Sequence, residues 1–450
     1  MRVAVVGGGL AGLAAAIECA DRGAEVTVYE ARSRLGGATF SFERNGLWLD
    51  NGQHVALRCC TAYLGFLRRL GVDHLLPIQR RLNVPVLREG KREALLSRTA
   101  LPAPLHLAAT LLRYAPLSPG ERLSAVRGAR ALGRLDPDDP RLDEQTFGGW
   151  LAAHGQSANI VASLWNLIAL PTLNLPADEA SLAAAVKVFR TGLLDSADAC
   201  DIGVPAVPFQ RLHAEPARAA LEERGGRVIT GTVVRAVTLD LGLELESGSE
   251  DADAVILAVP HEAVAAIAPP GVVDADELSG LGTSPIVNLH IHFDREVLPH
   301  PLAATIGSPL QWLFDRTAAA GAAEGQLLAV SLSHATGEIG TSVADLRARY
   351  LPAIERLLPA ARGAAVLDFA VTHEPRATFR VAPGTRRLRP GPGTSVPGLL
   401  LAGAWTDTGW PATMEGAVRS GLTAARAALA TATAPRRAAP EPTPLGGSGR

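Results

Sequence analysis

Apolar runs broken by glycine and proline organise this chain. RVAVV at 2–6 reads as a short buried strand, Gly7 to Gly12 as a tight turn, residues 10–22 as an alanine-rich helix, and AEVTVYE at 24–30 as a second strand. Residues 61–71 have helical spacing and stop at Gly71, and 81–99 read as two short strands around Glu89-Gly90. From Leu101 to Leu135 the chain is apolar, helical and punctuated by proline. Pro137 and Pro140 break it, and a helical block follows from Phe147 to about Leu194. Residues 211–224 read as helix, RVITGTVVRAVTL at 227–239 as paired strands, and ADAVILAVP at 252–260 as a buried strand ending in a turn. IVNLHIHF at 286–293 alternates as a half-buried strand does. SVPGLLLA at 395–402 gives a last short strand, followed by a glycine turn and a helix from about Ala412 to Ala430.

A chain of 450 residues exceeds one compact core and predicts two or three lobes. The pattern divides it into 1–80, 206–262 and 391–430 as one discontinuous domain, 81–205 as a helical lobe and 263–390 as a sheet of its own. The Pro-, Ala- and Gly-rich segment 431–450 reads as a disordered tail. With 47% hydrophobic residues, 20% charged and a net charge of −2, the chain is an ordinary globular protein. No basic excess points to nucleic acid. The cysteines at 19, 59, 60 and 200 form no C-x-x-C pair, so neither a disulfide framework nor a zinc site is expected, and reduced thiols suit a cytoplasmic setting. Three glycines interrupt the apolar start, which argues against a signal peptide, and no apolar run reaches the length of a membrane span.

Gly7-x-Gly9-x-x-Gly12 sits between a strand and a helix, where the first glycine permits the turn, the second lets backbone approach a pyrophosphate and the third lets helix pack on strand. The helix N-terminus offers free N–H groups and partial positive charge to the phosphates. Glu30 ends the second strand eighteen residues after Gly12, where a carboxylate can accept both ribose hydroxyls and would repel a 2′-phosphate. Two further segments favour FAD over NAD. Arg34-Leu35-Gly36-Gly37 supplies a second close backbone approach through Gly36 and Gly37. Near the C-terminus a strand runs into Gly403, and the helix that starts soon after, carrying Met414 and Glu415, can aim its N-terminus at the pyrimidine edge of a flavin, which is anionic when reduced.

VVGGGLAGLAAAIECADRGAEVTVYEARSRLGG and LLLAGAWTDTGWPATMEGAVRSG resemble the amine oxidase and phytoene desaturase superfamily. LDNGQHVALRCCTAYLGFLRRLGV at 49–72 and the segment 147–194 resemble, more narrowly, the squalene-associated FAD-dependent desaturases, now called hydroxysqualene dehydroxylases. The resemblance covers most of residues 1–430. It implies an α/β fold: a Rossmann-type FAD-binding domain, glutathione-reductase-like and amine-oxidase-like, with an inserted mixed α+β substrate domain and a helical lobe. It further implies that Gly7, Gly9, Gly12, Glu30 and Arg32 hold the ADP half, and that Val234 offers its backbone to the adenine. Gly52, Gln53 and His54 would lie beside the isoalloxazine ring, and the Met414 N–H would meet the pyrimidine. Two positions depart from many relatives: Ala38 replaces an arginine after the paired glycines, and Ala404 replaces an acidic residue after Gly403.

The implied reaction is removal of an allylic hydroxyl: hydroxysqualene and reduced FAD give squalene, oxidised FAD and water, with the FAD re-reduced by an unidentified donor. An acid must protonate the leaving hydroxyl. His54 is the first candidate and Asp50 a partner or substitute, against plainer roles for His54 in packing and for Asp50 in the Asp50-Asn51-Gly52 turn. Asp407 either touches the ribityl chain or caps its turn. His290 and His292 share a strand face without further metal ligands and read as core or surface residues. Leu101–Leu117 reads as a lobe helix packed on its neighbour, with peripheral membrane contact as the alternative. Three rivals stand beside the dehydroxylase. A carotenoid-type desaturase would run the flavin in the other direction. An amine oxidase is disfavoured by 4% aromatics and by lysine at only 91 and 187. A flavin-free prenyl carrier is disfavoured by the intact cofactor motifs.

Overall fold

In the computed structural model, which describes residues 1–433, a five-stranded parallel sheet runs in the order Leu399–Leu401, Ala254–Leu257, Arg2–Val6, Glu25–Glu30, Arg227–Thr230. Its strands come from three distant stretches of chain, as the discontinuous pattern implies. Helix Leu10–Asp21 packs on one face, and helix Met414–Thr433 packs on that helix so closely that Gly421 lies against the Ala11 carbonyl. Ala424, Ala425 and Ala428 are fully buried along the same seam. The expected tail falls mainly on residues outside the described ones; 431–433 continue the last helix.

A second, seven-stranded sheet contains Val366–Phe379, Thr283–Phe293, Gln326–Ser333, Trp312–Asp315, Leu302–Thr305, Asn83–Leu87 and Ala94–Ser97, in that order. The hairpin at 83–97 therefore extends this sheet and does not belong to a separate helical lobe. One sheet face carries Val287, Leu289 and Ile291 against helix Val343–Leu357, with Tyr350 and Ile354 in the same apolar cluster. The opposite face turns toward the parallel-sheet domain and the helices of 105–194.

One expected pairing is wrong. Arg227–Thr230 and Val234–Val237 do not pair with each other: the first adds to the parallel sheet, and the second joins Gly242–Leu245 and Gly248–Asp251 in a small meander. Gly231, at φ +70°, turns the chain between them, so one apolar run serves two sheets. Segment 101–117 also departs from expectation. Only Leu105–Leu107 and Ala108–Arg113 are helical, and Leu101, Leu105 and Leu112 face solvent, Leu112 with 72% of its surface exposed. All four cysteines are free thiols, and among the described residues no helix is long and apolar enough to cross a membrane.

The seam between the first and last helices leaves no room for a methyl group. Gly421→Ala is expected to cost about 1–3 kcal/mol by overpacking and to lower the Tm by a few degrees, measured by calorimetry with and without added FAD.

Candidate cofactor and active site

Two glycine loops meet at the C-terminal ends of the parallel strands. A Cβ at Gly7 would strike the Ala258 carbonyl, one at Gly12 would strike Gly7, and one at Gly37 would sit 2.8 Å from the Cα of Gly9. Gly36 donates its N–H to the Gly8 carbonyl at 2.9 Å, locking the loops together. Gly9 caps helix Leu10–Asp21 with no side-chain acceptor, so the first-turn N–H groups are left for an anion. The buried Glu30 carboxylate accepts N–H bonds from Gly8 (2.6 Å) and Arg32 (2.9 Å), which fix it at the strand end. Val234 begins the meander opposite Leu245. These features fit the extended ADP half of a dinucleotide.

Arg34 stands beside these loops with its guanidinium 3.3 Å from the centre of the Phe40 ring and its Nη1 buried without a partner. Burial pushes its pKa down, opposed by Glu30 and Glu374. An unpaired buried guanidinium nitrogen at this place suits a cofactor oxygen. The sequence reading took only the glycines from this segment.

Asp50 and Asn51 end strand Leu47–Asp50 and lead into Gly52, Gln53 and His54. The Asn51 carbonyl accepts from Asn288 Nδ2 (3.1 Å) and Thr372 Oγ1 (2.8 Å), both on the seven-stranded sheet. Gly52 lies between His54 and Asn288: an added Cβ would be 3.1 Å from His54 Cε1 and 3.4 Å from Asn288 Nδ2. The Gln53 Nε2 is buried and unpartnered.

Neither expected proton donor finds the setting its role requires. Burial lowers the His54 pKa, against smaller opposing contributions from the Gly52 carbonyl and Asp50. The ring is therefore neutral at neutral pH, with Nδ1 3.3 Å from the Gly52 carbonyl and its edge against Phe209 at 5.1 Å. Asp50 does not hydrogen-bond His54. Its carboxylate accepts from Arg316 Nη2 (2.9 Å), Ser41 Oγ (2.6 Å) and the Phe209 N–H (3.2 Å), as a buried ion pair must to offset its desolvation. Behind Phe209, which stacks on His213 at 5.4 Å, the His213 Nε2 meets the Tyr63 hydroxyl at 2.6 Å, and burial pushes His213 down to about 3.

At the C-terminal turn Gly403 has φ +147° and donates its N–H to Ser420 Oγ at 2.8 Å. The following carbonyls, Ala404, Trp405 and Thr406, all accept from Arg389. Arg389 rigidifies a turn that lacks an acidic residue at 404. Asp407 is exposed, and its Oδ1 accepts the Gly409 N–H at 3.3 Å, so it caps the turn. Thr413 Oγ1 caps the Gly416 N–H, leaving the Met414 and Glu415 N–H groups at the helix start for a ligand. The Glu415 side chain goes elsewhere: it is fully buried and accepts from Ala62 N (3.1 Å), Tyr63 N (2.8 Å) and Arg419 Nε (2.6 Å), capping helix Thr61–Arg69. Sequence reasoning also missed Arg316, Arg389 and Asn288. The first two act through contacts across more than 200 residues or on bare carbonyls, which no motif encodes. Asn288 was visible only as the polar position of an alternating strand. His290, read as a core or surface residue, is buried; His292 bonds the Glu324 carbonyl at 2.9 Å. Among the described residues no group of metal-ligating side chains forms.

The chain matches the family model described as flavin containing amine oxidoreductase over residues 10–429. Curated hydroxysqualene dehydroxylases of Sinorhizobium fredii and Rhodopseudomonas palustris are 30% and 31% identical to it, each alignment covering 95% of this chain and 98% of the relative. A 15-cis-phytoene desaturase of Synechococcus elongatus is 25% identical over 96% of both chains. Among solved structures, putrescine oxidase bound to putrescine superposes with a TM-score of 0.73 at 20% identity, covering 96% of this chain and 99% of that one, and so shares the fold.

The neutral rings at 54, 213 and 290 set a pH dependence. Each has a folded pKa below the ordinary value of about 6.5, so each stabilises fully above that pH and loses its contribution as pH falls toward the folded pKa, near 3 for His213 and 4 for His290. Stability is expected to fall between pH 6.5 and 5, the slope approaching ~1.4 kcal/mol per pH unit for each of His213 and His290, and the Tm falls with it. In His213→Gln the Tm should be lower, with a shallower slope against pH.

Proposed function

The chain belongs to the flavin containing amine oxidoreductase family, in its hydroxysqualene dehydroxylase branch, and is an FAD-dependent oxidoreductase; we propose that it reductively removes the hydroxyl of hydroxysqualene to give squalene. The observation that carries this reading is the wall across from Gly52. The strand registers place Ala370, His290, Ala329, Phe314 and Leu302 in one row, and Thr372, Asn288, Ser331, Trp312, Ala304 and Val86 in the next. Val86, Leu302, Ala304, Phe314 and Ala329 of these rows lie in the main hydrophobic core, and the small and apolar composition of the rows is one that a hydrocarbon chain would match. The wall carries no free carboxylate for an ammonium group: Asp50 is paired with Arg316, and Glu374 accepts from Asn51. Lys187 lies over the Trp410 ring.

Bound FAD in its reduced form would supply a hydride, and with one proton drawn from solvent for the leaving hydroxyl the alcohol would give the alkene, oxidised FAD and water. The chain's own contribution is to hold and exclude. Gly7, Gly9, Gly12, Glu30 and Arg32 would seat the ADP half, with Val234 near the adenine. Gly36, Gly37 and Arg34 would line the middle of the cofactor. Gly52 and Gln53 would hold the ring system, with the Met414 N–H toward its pyrimidine and Gly403 shaping the turn before it. His54, neutral and packed on Phe209, serves as a wall and hydrogen-bonding group, and Asp50 holds the loop through Arg316.

In an anaerobic mixture of pre-reduced enzyme and hydroxysqualene, oxidised-flavin absorbance should return together with about one equivalent of squalene per flavin, as that balance requires. Reduced flavin that persists, with conjugated polyene formed when the oxidised enzyme meets a carotenoid precursor, would replace this reading by that of a desaturase, the activity named for the Synechococcus relative.

The substrate reaches the enzyme, on this reading, from a lipid surface. Leu95, Leu101, Leu105, Leu112, Leu123 and Val126 are exposed large apolar residues within one stretch of chain. Residues 80–135 hold eleven arginines and lysines against three glutamates, a net +8 in a chain of net −2. Exposed leucines among basic residues suit an anionic bilayer. The protein should co-sediment with phosphatidylglycerol vesicles and less with phosphatidylcholine, and Leu105→Ser with Leu112→Ser should weaken this at unchanged Tm; binding unaffected by the pair would mean that these leucines make no membrane contact.

A further inference from the structure

The apolar wall opposite Gly52 carries polar atoms that nothing in the protein satisfies. Asn288 is fully buried; its Nδ2 donates to the Asn51 carbonyl, which turns Oδ1 the other way, without a partner. His290, two residues along the same strand and so on the same face, is 2% exposed, and its Nε2 has no partner. Gln53 Nε2, beside Gly52, and Trp312 Nε1, in the Asn288 row, are also buried and unpaired. One such atom is ordinary; Asn288 Oδ1 and His290 Nε2, two residues apart on one strand face, call for a ligand, because each costs its desolvation when left alone. Burial, reinforced by the nearby Arg316 charge, pushes His290 down to about 4, so its ring can present one N–H donor without charge. The neighbours are Ala329, Ala370 and Phe314, so the group these atoms await is small, uncharged and attached to hydrocarbon.

We propose that Asn288 and His290 form the hydroxyl-binding subsite of this wall: Asn288 Oδ1 accepts the substrate O–H, and His290 Nε2–H donates to its oxygen. A hydroxyl is both donor and acceptor and satisfies the two at once; a methyl or alkene at the same place satisfies neither. The pair is thus what distinguishes an isoprenoid alcohol from the hydrocarbon it becomes, and it fixes the oxygen-bearing carbon beside the Gly52 loop. This rests on the dehydroxylase reading. The same chemistry would also suit a trapped water, which the test separates.

The measurement is a titration of the oxidised holoenzyme with hydroxysqualene and with squalene, read as perturbation of flavin absorbance, alongside single-turnover rates of the reduced enzyme. Wild type should bind the alcohol more tightly. His290→Leu should reduce that preference about tenfold or more at unchanged FAD content, and His290→Asn, which keeps a donor, should restore part of it. Asn288→Leu removes both the free acceptor and the donor to Asn51, so it should reduce the preference and also tolerate less heat. If the variants fold, hold FAD and discriminate like wild type, the atoms hold water only and the subsite is wrong. If wild type itself ignores hydroxysqualene, the dehydroxylase reading fails and takes the subsite with it.

Discussion

Asn51 is the joint on which the active region depends. It is buried, and every polar group it has is used: its N–H and Oδ1 bond Phe40, its Nδ2 bonds the Ala38 and Glu374 oxygens, and its carbonyl accepts from Asn288 and Thr372. One residue thereby ties together the second glycine loop, the Gly52–His54 turn and the seven-stranded sheet. The Asp50–Arg316 pair beside it anchors the same turn from below. Such a fully satisfied network rigidifies, whereas a partly satisfied one would be costly. The distance between cofactor loops and substrate wall is set here.

Charge is kept out of the space this joint defines. His54, His213 and His290 are held neutral by burial, and Asp50 is neutralised by Arg316. A hydrocarbon substrate needs such a site, since an uncompensated buried charge would sooner draw in water than a squalene-like chain. Arg389 solves a related problem at the C-terminal turn. It clamps three successive carbonyls, so the turn before Met414 is rigid although Ala404 offers no side-chain contact.

Much of this was legible in the residues. Gly7, Gly9, Gly12 and Glu30 sit at fixed offsets within one strand–turn–helix–strand unit, and their geometry is local, so spacing suffices to read it. The first and last helices, the hairpin at 83–97 and the strand at 283–293 followed from periodicity. The errors arose where periodicity is silent about partners. The run 227–239 is apolar throughout, and nothing in it says that its halves enter different sheets. Glu415 reads as a cofactor residue from its place at a helix start, but the N-terminus of helix Thr61–Arg69, more than 350 residues away, claims its carboxylate.

The sequence by itself determined the cofactor class and the parallel-sheet scaffold, because both rest on backbone conformation encoded by neighbours in the chain. Only the tertiary structure decided what the polar residues do. Whether His54 can carry a proton, whether Asp50 is free and whether Asn288 and His290 stand unsatisfied all depend on burial and on partners brought together from hundreds of residues apart. Desolvation and long-range hydrogen bonding leave no trace in spacing.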